Sequence, residues 1–172
     1  LHPRFEYAQR HLCVPALSDK LMALAEKCAH YGIGRNGEVH QYVQENDSAW
    51  HAGRIDAPVW KFIRPNINPN LYTIGIEHEG KPDDVWTDAM KQSSATLIRE
   101  ICQRWQIPID RDHVIGHFEI FSKKPNCPAT NKSILNELVA LAGHQTPSSP
   151  SPVEEGVRKV EEGLALIKQT LN

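Results

Sequence analysis

Apolar residues spaced three and four positions apart mark three segments of the chain as helices with one buried face. The predicted helices cover residues 18–27, 87–105 and 131–142. The second helix is expected to begin at the capping residue Thr87, to turn Trp105 inward with its other apolar residues, and to end before Pro108. Gly143 is the expected end of the third helix.

Shorter apolar runs predict strands on either side of a long irregular segment. Residues 30–34 and 38–43 are predicted strands joined by Asn36-Gly37, a strong hairpin signal. Residues 71–78 are predicted to form a buried strand, with Ile74, Ile76 and His78 on one side and Glu77 on the other. Residues 113–117 are predicted to form a further short strand. Residues 50–70 lack periodicity and are expected to form a long loop, a kind of segment that often binds ligands.

These elements together predict an α/β fold in which a single mixed sheet is flanked by helices. The composition then divides the chain into a domain over residues 1–143, a Pro/Ser linker over 144–152 and an amphipathic helix over 153–172. Apolar residues of the last segment alternate spacings of four and three, as in a heptad seam. Two interpretations of this helix stay open: it docks on its own domain, or it mediates self-association or partner binding.

Composition and charge narrow the class of protein. The chain has 172 residues, 40% of them hydrophobic and 23% charged, with a formal net charge of -2, so no overall positive field attracts nucleic acid. We expect no membrane span, because no apolar run approaches the required length. No signal peptide is visible in residues 1–10, which carry three charges and no apolar centre.

Four cysteines are too few for a disulfide scaffold. Cys102 is expected to be a buried thiol, and pairing of Cys13 with Cys28 is left open.

Two residues late in the chain have the chemistry of zinc ligands. His117 follows Gly116 at the end of the predicted strand 113–117, where a side chain is able to point out of the sheet. Cys127 lies in a polar segment in which a metal would stabilise its thiolate. A catalytic zinc takes three protein ligands and keeps one position for water. The ordinary alternative for each residue alone is a structural role.

Glu77, Trp50 and His51 are further candidates for chemistry. A carboxylate on a buried strand is costly unless it is paired or used, so Glu77 is either a general base or the partner of a nearby Lys or Arg. Trp50 is suited to cover a sugar face, and His51 to donate a hydrogen bond to an oxyanion. The simpler alternative makes both residues anchors of the loop.

These motifs, taken in order, resemble one family. The chain resembles the type 2 N-acetylmuramoyl-L-alanine amidases, which are related to peptidoglycan recognition proteins and many phage endolysins. The segments that carry the resemblance are Ala29-His30-Tyr31, Gly34-Arg35-Asn36-Gly37-Glu38, Gln41-Tyr42-Val43, Ala49-Trp50-His51-Ala52-Gly53, Ile74-Gly75-Ile76-Glu77, Gly116-His117 and Cys127-Pro128. The resemblance covers about residues 11–142 and implies an enzyme with one zinc ion per chain. That enzyme would cut the amide bond between N-acetylmuramic acid and L-alanine in peptidoglycan.

The resemblance also implies roles for individual residues. His117 and Cys127 match the second and third zinc ligands, Glu77 matches the catalytic carboxylate, and Trp50 and His51 match the substrate groove. The first ligand is expected at His11, with His2 as the alternative. Pro125 stands where the family commonly has a Lys, so Lys124 is expected to stabilise the oxyanion in its place.

Two other functions remain in view. A peptidoglycan-binding module of the same fold would lack catalysis and stoichiometric zinc, and a thiol hydrolase with Cys127 as nucleophile would survive chelation. For the amidase and for the binding module, the expected partner is peptidoglycan or a muropeptide. An amidase of this kind would act at the bacterial cell wall, after secretion, in the periplasm or on delivery by a phage.

Overall fold

The computed structural model describes residues 29–144. The predictions that lie outside these residues are the helix over 18–27, the linker over 144–152 apart from His144, the helix over 153–172, the ligand candidates His2 and His11, and the pair Cys13 and Cys28. The described residues as far as Ala142 belong to one compact unit.

A mixed sheet of three strands lies at the centre of the described part of the chain. Strand β1 is Tyr31–Ile33, β2 is Val39–Gln41 and β3 is Ile76–His78. β1 lies in the middle, antiparallel to β2 and parallel to β3. Gly37 closes the predicted hairpin with a φ of 85°, a conformation that favours glycine. The predicted fold class is confirmed.

The third strand is shorter than predicted. A 3-10 helix, Pro69–Leu71, occupies the start of the predicted segment, and the backbone N–H of Leu71 donates to Asn68 O. Pairing with β1 begins only at Ile76, opposite Tyr31. As predicted, Ile74 and Ile76 pack on the core side, against the cluster that contains Ile33 and Met90.

Helix α1, Asp88–Trp105, confirms the predicted helix and its cap, because Thr87 Oγ1 accepts a hydrogen bond from the backbone N–H of Met90. Two details differ from the prediction. The helix is ended by Gln106, whose left-handed conformation (φ 54°) precedes Pro108. Trp105 is 44% exposed, because its indole Nε1 donates to Glu45 at the molecular surface.

Helix α2, Ser133–His144, begins and ends two residues later than predicted. Asn131 precedes the helix, and its Oδ1 accepts from the backbone N–H and the hydroxyl of Ser133. Gly143 continues the helix instead of ending it. A buried cluster joins α2 to α1 through Ile134, Leu138 and Cys102, which confirms the buried thiol.

The predicted strand over residues 113–117 is wrong. Asp110 organises a turn there, since its Oδ1 accepts from the backbone N–H groups of Asp112 and His113. A 3-10 helix, His117–Glu119, follows. Local side-chain acceptors therefore satisfy backbone groups that a strand would have paired with a neighbour.

Residues 50–70 form the expected long loop up to the 3-10 helix at Pro69. The loop is tied to the segment around His117 by backbone hydrogen bonds, from Asp56 N–H to Ile120 O and from Val59 N–H to Glu119 O. No helix of the described residues is long and apolar enough to cross a membrane.

Candidate metal and catalytic site

The site lies on the face of the sheet opposite helix α1. Tyr31, Ile33 and Ile76 pack toward α1, so Glu77, at the centre of β3, points to the other face. Its register partner on β1 is Gly32. The ion pairs within residues 29–144 do not include Glu77, so the described residues do not support the alternative in which this carboxylate serves a structural ion pair.

His117 is held at the start of its 3-10 helix by a polar network that sequence reasoning missed. Glu119 Oε2 accepts from the backbone N–H of Gly116 at 2.7 Å and from Arg111 Nη2 at 2.8 Å. Glu119 follows Gly116 by three residues, which is the spacing of a capping box and was a usable signal in the sequence. This network fixes the backbone that carries His117.

Gly116 also explains why the Gly-His and Cys-Pro motifs occur together. A Cβ at Gly116 would lie 2.6 Å from the Phe118 ring and 3.0 Å from Pro128 Cδ. The backbone N–H of Phe118 donates to Cys127 O at 3.2 Å, and Cys127 N–H donates to Lys124 O. The missing side chain at Gly116 therefore allows the segment that contains Cys127 to pack beside His117.

The His117 ring is oriented by a backbone carbonyl of the loop over residues 49–53. Its Nε2 lies 2.9 Å from Ala52 O, and a carbonyl accepts hydrogen bonds only, so Nε2 carries the proton. Burial lowers the pKa of His117, which favours the neutral ring. Nδ1 then presents an unprotonated lone pair. A hydrogen bond from the second ring nitrogen to a carbonyl is a typical feature of metal-binding histidines.

Residues near His117 in the fold have side chains of the types that zinc hydrolysis requires. Cys127 is half-buried and forms no disulfide, and its backbone carbonyl accepts from the N–H of Phe118, next to His117 in the chain. Thiolate and neutral imidazole are donors that zinc prefers. Glu77 and Lys124 lie close enough to act on the pKa of His117, the carboxylate raising it and the ammonium group lowering it. The residues present therefore fit a zinc ion.

The described residues alone do not complete a metal site. Within residues 29–144, no three His, Cys, Asp or Glu side chains come together in a group able to hold a metal. His117 and Cys127 are the predicted second and third ligands. The candidates for the first ligand, His11 and His2, lie outside this range.

The loop over residues 49–53 is held by Asn70, a residue that sequence reasoning missed and for which the sequence offers no signal. Asn70 is 5% exposed, and its Oδ1 accepts from the backbone N–H groups of His51 at 3.0 Å and Ala52 at 2.8 Å. Gly53 follows with a φ of 60°. These contacts fix the Ala52 carbonyl that orients the His117 ring.

The structure places His51 inside this loop and Trp50 at its surface. His51 Nδ1 lies 3.0 Å from Ala49 O, and Nε2 lies 2.7 Å from Thr73 Oγ1. Burial lowers the pKa of His51 to about 4. One ring nitrogen thus faces the loop and the other faces the segment before β3, the arrangement of a loop anchor. Trp50 is 66% exposed and is not an anchor.

His30, the residue before β1, supports the same face of the sheet. Its Nδ1 accepts from the backbone N–H of Gly75 at 3.0 Å, and its Nε2 lies 3.1 Å from Asp47 O. Gly75 in turn leaves room for His51, because a Cβ there would lie 2.2 Å from His51 Cγ. The Ala-Trp-His-Ala-Gly and Ile-Gly-Ile-Glu motifs therefore pack directly against each other.

A shallow cavity of about 230 Å³ borders the loop at Gly53. Its walls are aliphatic and amide groups, from Ile55, Asn66, Ile67, Asn68 and Pro69. Gly53 connects the cavity to the site, since a Cβ at Gly53 would lie 3.8 Å from His117 Nε2.

Comparison with known proteins identifies the family. The family model described as N-acetylmuramoyl-L-alanine amidase matches residues 2–130. The chain belongs to this amidase family. The match confirms the family that the motifs predicted, and it extends over the described site and the residues before it.

Individual relatives of this amidase family carry related names. The chain is 38% identical over 96 residues to 1,6-anhydro-N-acetylmuramyl-L-alanine amidase AmpD of Haemophilus influenzae, covering 56% of this chain and 48% of that protein. It is 40% identical over 83 residues to N-acetylmuramoyl-L-alanine amidase A of Achromobacter lyticus, covering 46% and 39%. AmpD of Salmonella typhimurium strain SL1344 is 34% identical over 119 residues, covering 68% and 59%. The chain spans about half the length of the curated relatives it matches.

A solved structure has the same fold. The crystal structure of a selenomethionine AmpD derivative superposes with a TM-score of 0.53 at 28% sequence identity, covering 64% of this chain and 58% of that one. The likeness agrees with a mixed sheet flanked by helices.

Proposed function

We propose that this amidase-family protein hydrolyses the amide bond between N-acetylmuramic acid and L-alanine in peptidoglycan, with one zinc ion per chain. The orientation of His117 carries the proposal. Its proton is committed to Ala52 O through Nε2, so Nδ1 is free to bind a metal beside Glu77 and Lys124. The names of the relatives support the choice of bond.

Three residues would hold the zinc ion: His117, Cys127 and one imidazole from the N-terminal segment, with His11 proposed ahead of His2. A zinc ion bound there would lower the pKa of a coordinated water and polarise the scissile carbonyl. Neutral imidazole and thiolate are suitable donors for such an ion.

The remaining chemistry falls to residues of the chain itself. Glu77 accepts a proton from the attacking water and returns it to the departing amine of L-alanine, which needs a carboxylate outside any structural ion pair. Lys124 stabilises the negative charge that develops on the carbonyl oxygen. Trp50, largely exposed beside the site, contacts the substrate. His51 shapes the groove by holding its loop, since its ring nitrogens already face Ala49 O and Thr73 Oγ1.

The test is hydrolysis of purified muropeptide by the full chain, with product identified by mass spectrometry and zinc counted by elemental analysis. We expect about one zinc ion per chain, release of the stem peptide, loss of activity with a chelator and recovery with added zinc. Cys127→Ser should lose both zinc and activity.

Each alternative gives a different result in the same experiment. Binding of muropeptide without zinc or hydrolysis would identify a peptidoglycan-binding module. Hydrolysis that survives chelation but not Cys127→Ser would identify a thiol hydrolase. We also propose that the protein acts at the bacterial cell wall, in the periplasm, after secretion or on delivery by a phage. The segment over residues 153–172 is proposed to mediate self-association.

A further inference from the structure

The centre of the sheet carries a row of three residues on the site face. Gly32 of β1 is in register with His40 of β2 and with Glu77 of β3. Residues directly opposite one another on paired strands project to the same face. Glu77 therefore has a glycine as its neighbour on the middle strand, and the space above that glycine adjoins the carboxylate.

The phenol of Tyr42 fills this space. A Cβ built on Gly32 would lie 2.5 Å from the Tyr42 hydroxyl oxygen, 2.7 Å from Cε2 and 3.0 Å from Cζ. The ring therefore lies directly over Gly32 with its hydroxyl end inward. It is supported from β2 by the His40 ring, which stacks at a centroid distance of 6.4 Å and an interplanar angle of 9°.

The register sets the distance from this hydroxyl to Glu77. Adjacent strands are separated by about 4.8 Å, so the Cβ of Glu77 lies about 5 Å from the position of a Gly32 Cβ. With the hydroxyl 2.5 Å from that position, it lies within roughly 7.5 Å of Glu77 Cβ. One amide group held by Glu77 is thus within reach of the phenol.

The protonation state of Tyr42 suits a hydrogen-bond donor. Burial raises the pKa of Tyr42, and the negative charge of Glu38 raises it further. The hydroxyl therefore keeps its proton at neutral pH. The residue as a whole is half-buried.

We propose that Tyr42 is a further substrate-contacting residue, whose hydroxyl donates a hydrogen bond to the scissile amide group held beside Glu77. This inference rests on the proposed amidase function. Gly32 has a defined part in it: the absence of a side chain there admits the phenol to the face that carries Glu77. Sequence reasoning assigned no role to either residue.

The experiment compares two Tyr→Phe variants of the full chain on purified muropeptide. Tyr42→Phe removes the hydroxyl over Gly32 and keeps the ring. Tyr31→Phe is the matched control, because Tyr31 belongs to the core cluster on the α1 side and its hydroxyl donates to Glu45. We expect Tyr42→Phe to lower kcat about 100-fold with KM changed by less than ~3-fold, the size expected for one lost transition-state donor. Tyr31→Phe should keep kcat within ~2-fold, since a remote structural loss leaves the transition state unaffected.

A second variant tests the same inference without altering the phenol. Gly32→Ala forces the Tyr42 ring away from β1, so we expect kcat to fall as in Tyr42→Phe, with zinc content unchanged and a cooperative thermal transition retained. A folded, zinc-loaded Tyr42→Phe with wild-type kcat overturns the inference and leaves the amidase proposal intact. A wild-type chain that does not cleave muropeptide overturns both.

Discussion

At the scale of the residue, side chains and backbone groups of the motifs hold one another in position. Gly75 admits the His51 ring, Asn70 holds the backbone of His51 and Ala52, and Ala52 O orients His117. Residue type and spacing were enough to select Glu77, His117 and Cys127 as candidates. They were not enough to find Asn70, since its role depends on a contact with a loop far away in the sequence.

The role of Glu77 is testable with an isosteric change. Glu77→Gln keeps the size of the side chain but removes its ability to accept a proton, so we expect kcat to fall by about 10²- to 10⁴-fold. Zinc content and the thermal transition should stay as in the wild type, because Glu77 is not among the proposed ligands. Steady-state kinetics on muropeptide with elemental analysis checks this, and full activity of the variant would refute the assignment.

Because the Ala-Trp-His-Ala-Gly and Ile-Gly-Ile-Glu motifs pack closely, a single added methyl group at Gly75 should destabilise the fold. In Gly75→Ala the new Cβ would lie 2.2 Å from His51 Cγ, so the ring must move. We expect the free energy of unfolding, measured with urea, to fall by about 1–3 kcal/mol. Gly143→Ala is the control: a Cβ there meets nothing within 4 Å in helix α2, and we expect it to stabilise the protein by about 0.5–1 kcal/mol. Equal effects of the two substitutions would contradict the packing argument.

At the scale of the element, ion pairing fastens the end of helix α1 to the segment after β2. Glu45 accepts hydrogen bonds from Arg104 at 2.6 Å and from Trp105 Nε1 at 2.6 Å, and the Tyr31 hydroxyl donates to it from β1. The helix itself was predictable, because its period and its Thr87 cap are local properties. Its attachment was not, and this attachment accounts for the exposure of Trp105.

This attachment should make stability depend on acid pH. The Arg104 guanidinium holds the pKa of Glu45 at about 2, below an ordinary value of 4.5. The stabilisation is therefore complete above pH 4.5 and is lost as the pH falls toward 2. We expect Glu45→Gln to lower the free energy of unfolding at pH 6 by up to about 3 kcal/mol.

Urea titrations of both proteins between pH 6 and pH 2 check this expectation, through the difference between wild type and Glu45→Gln at each pH. That difference should shrink as the pH falls. A difference independent of pH would show that the carboxylate charge does not stabilise the end of the helix.

At the scale of the whole molecule, three histidines with lowered pKa values make the described fold sensitive to acid. Burial lowers the pKa of His30, lowers that of His51 to about 4 and lowers that of His78 to about 3. His78 lies beneath α1, with Nε2 2.8 Å from Ser94 Oγ and with Nδ1 buried and unpartnered. Such groups stay neutral in the folded protein while they protonate in the unfolded chain below pH 6.5.

Stability should therefore fall as the pH drops below 6.5 toward 4, by up to about 1.4 kcal/mol per pH unit for each of His51 and His78. His78→Leu removes one such group, so its free energy of unfolding should decline less steeply with falling pH than that of the wild type. His144→Leu, at an exposed position in helix α2, should keep the wild-type slope. Parallel urea titrations measure both slopes, and an unchanged slope in His78→Leu would contradict this account.

The sequence by itself determined the features that depend on near neighbours along the chain. The hairpin at Asn36-Gly37, helix α1 with its cap and the long irregular loop follow from turn chemistry and periodicity. The short motifs were specific enough to identify the family. The strand over 113–117 failed as a prediction because Asp110 offers its backbone a local turn, which apolar periodicity does not reveal.

Only the tertiary structure decided how distant motifs cooperate. The tautomer of His117 is set by Ala52, which lies 65 residues away in the chain, and the space for Tyr42 is set by the register of β1 between β2 and β3. Hydrogen bonds and van der Waals contacts act over a few ångströms of space, whatever the separation along the sequence. The residue types therefore gave the chemistry of the site, and the folded chain gave its orientation.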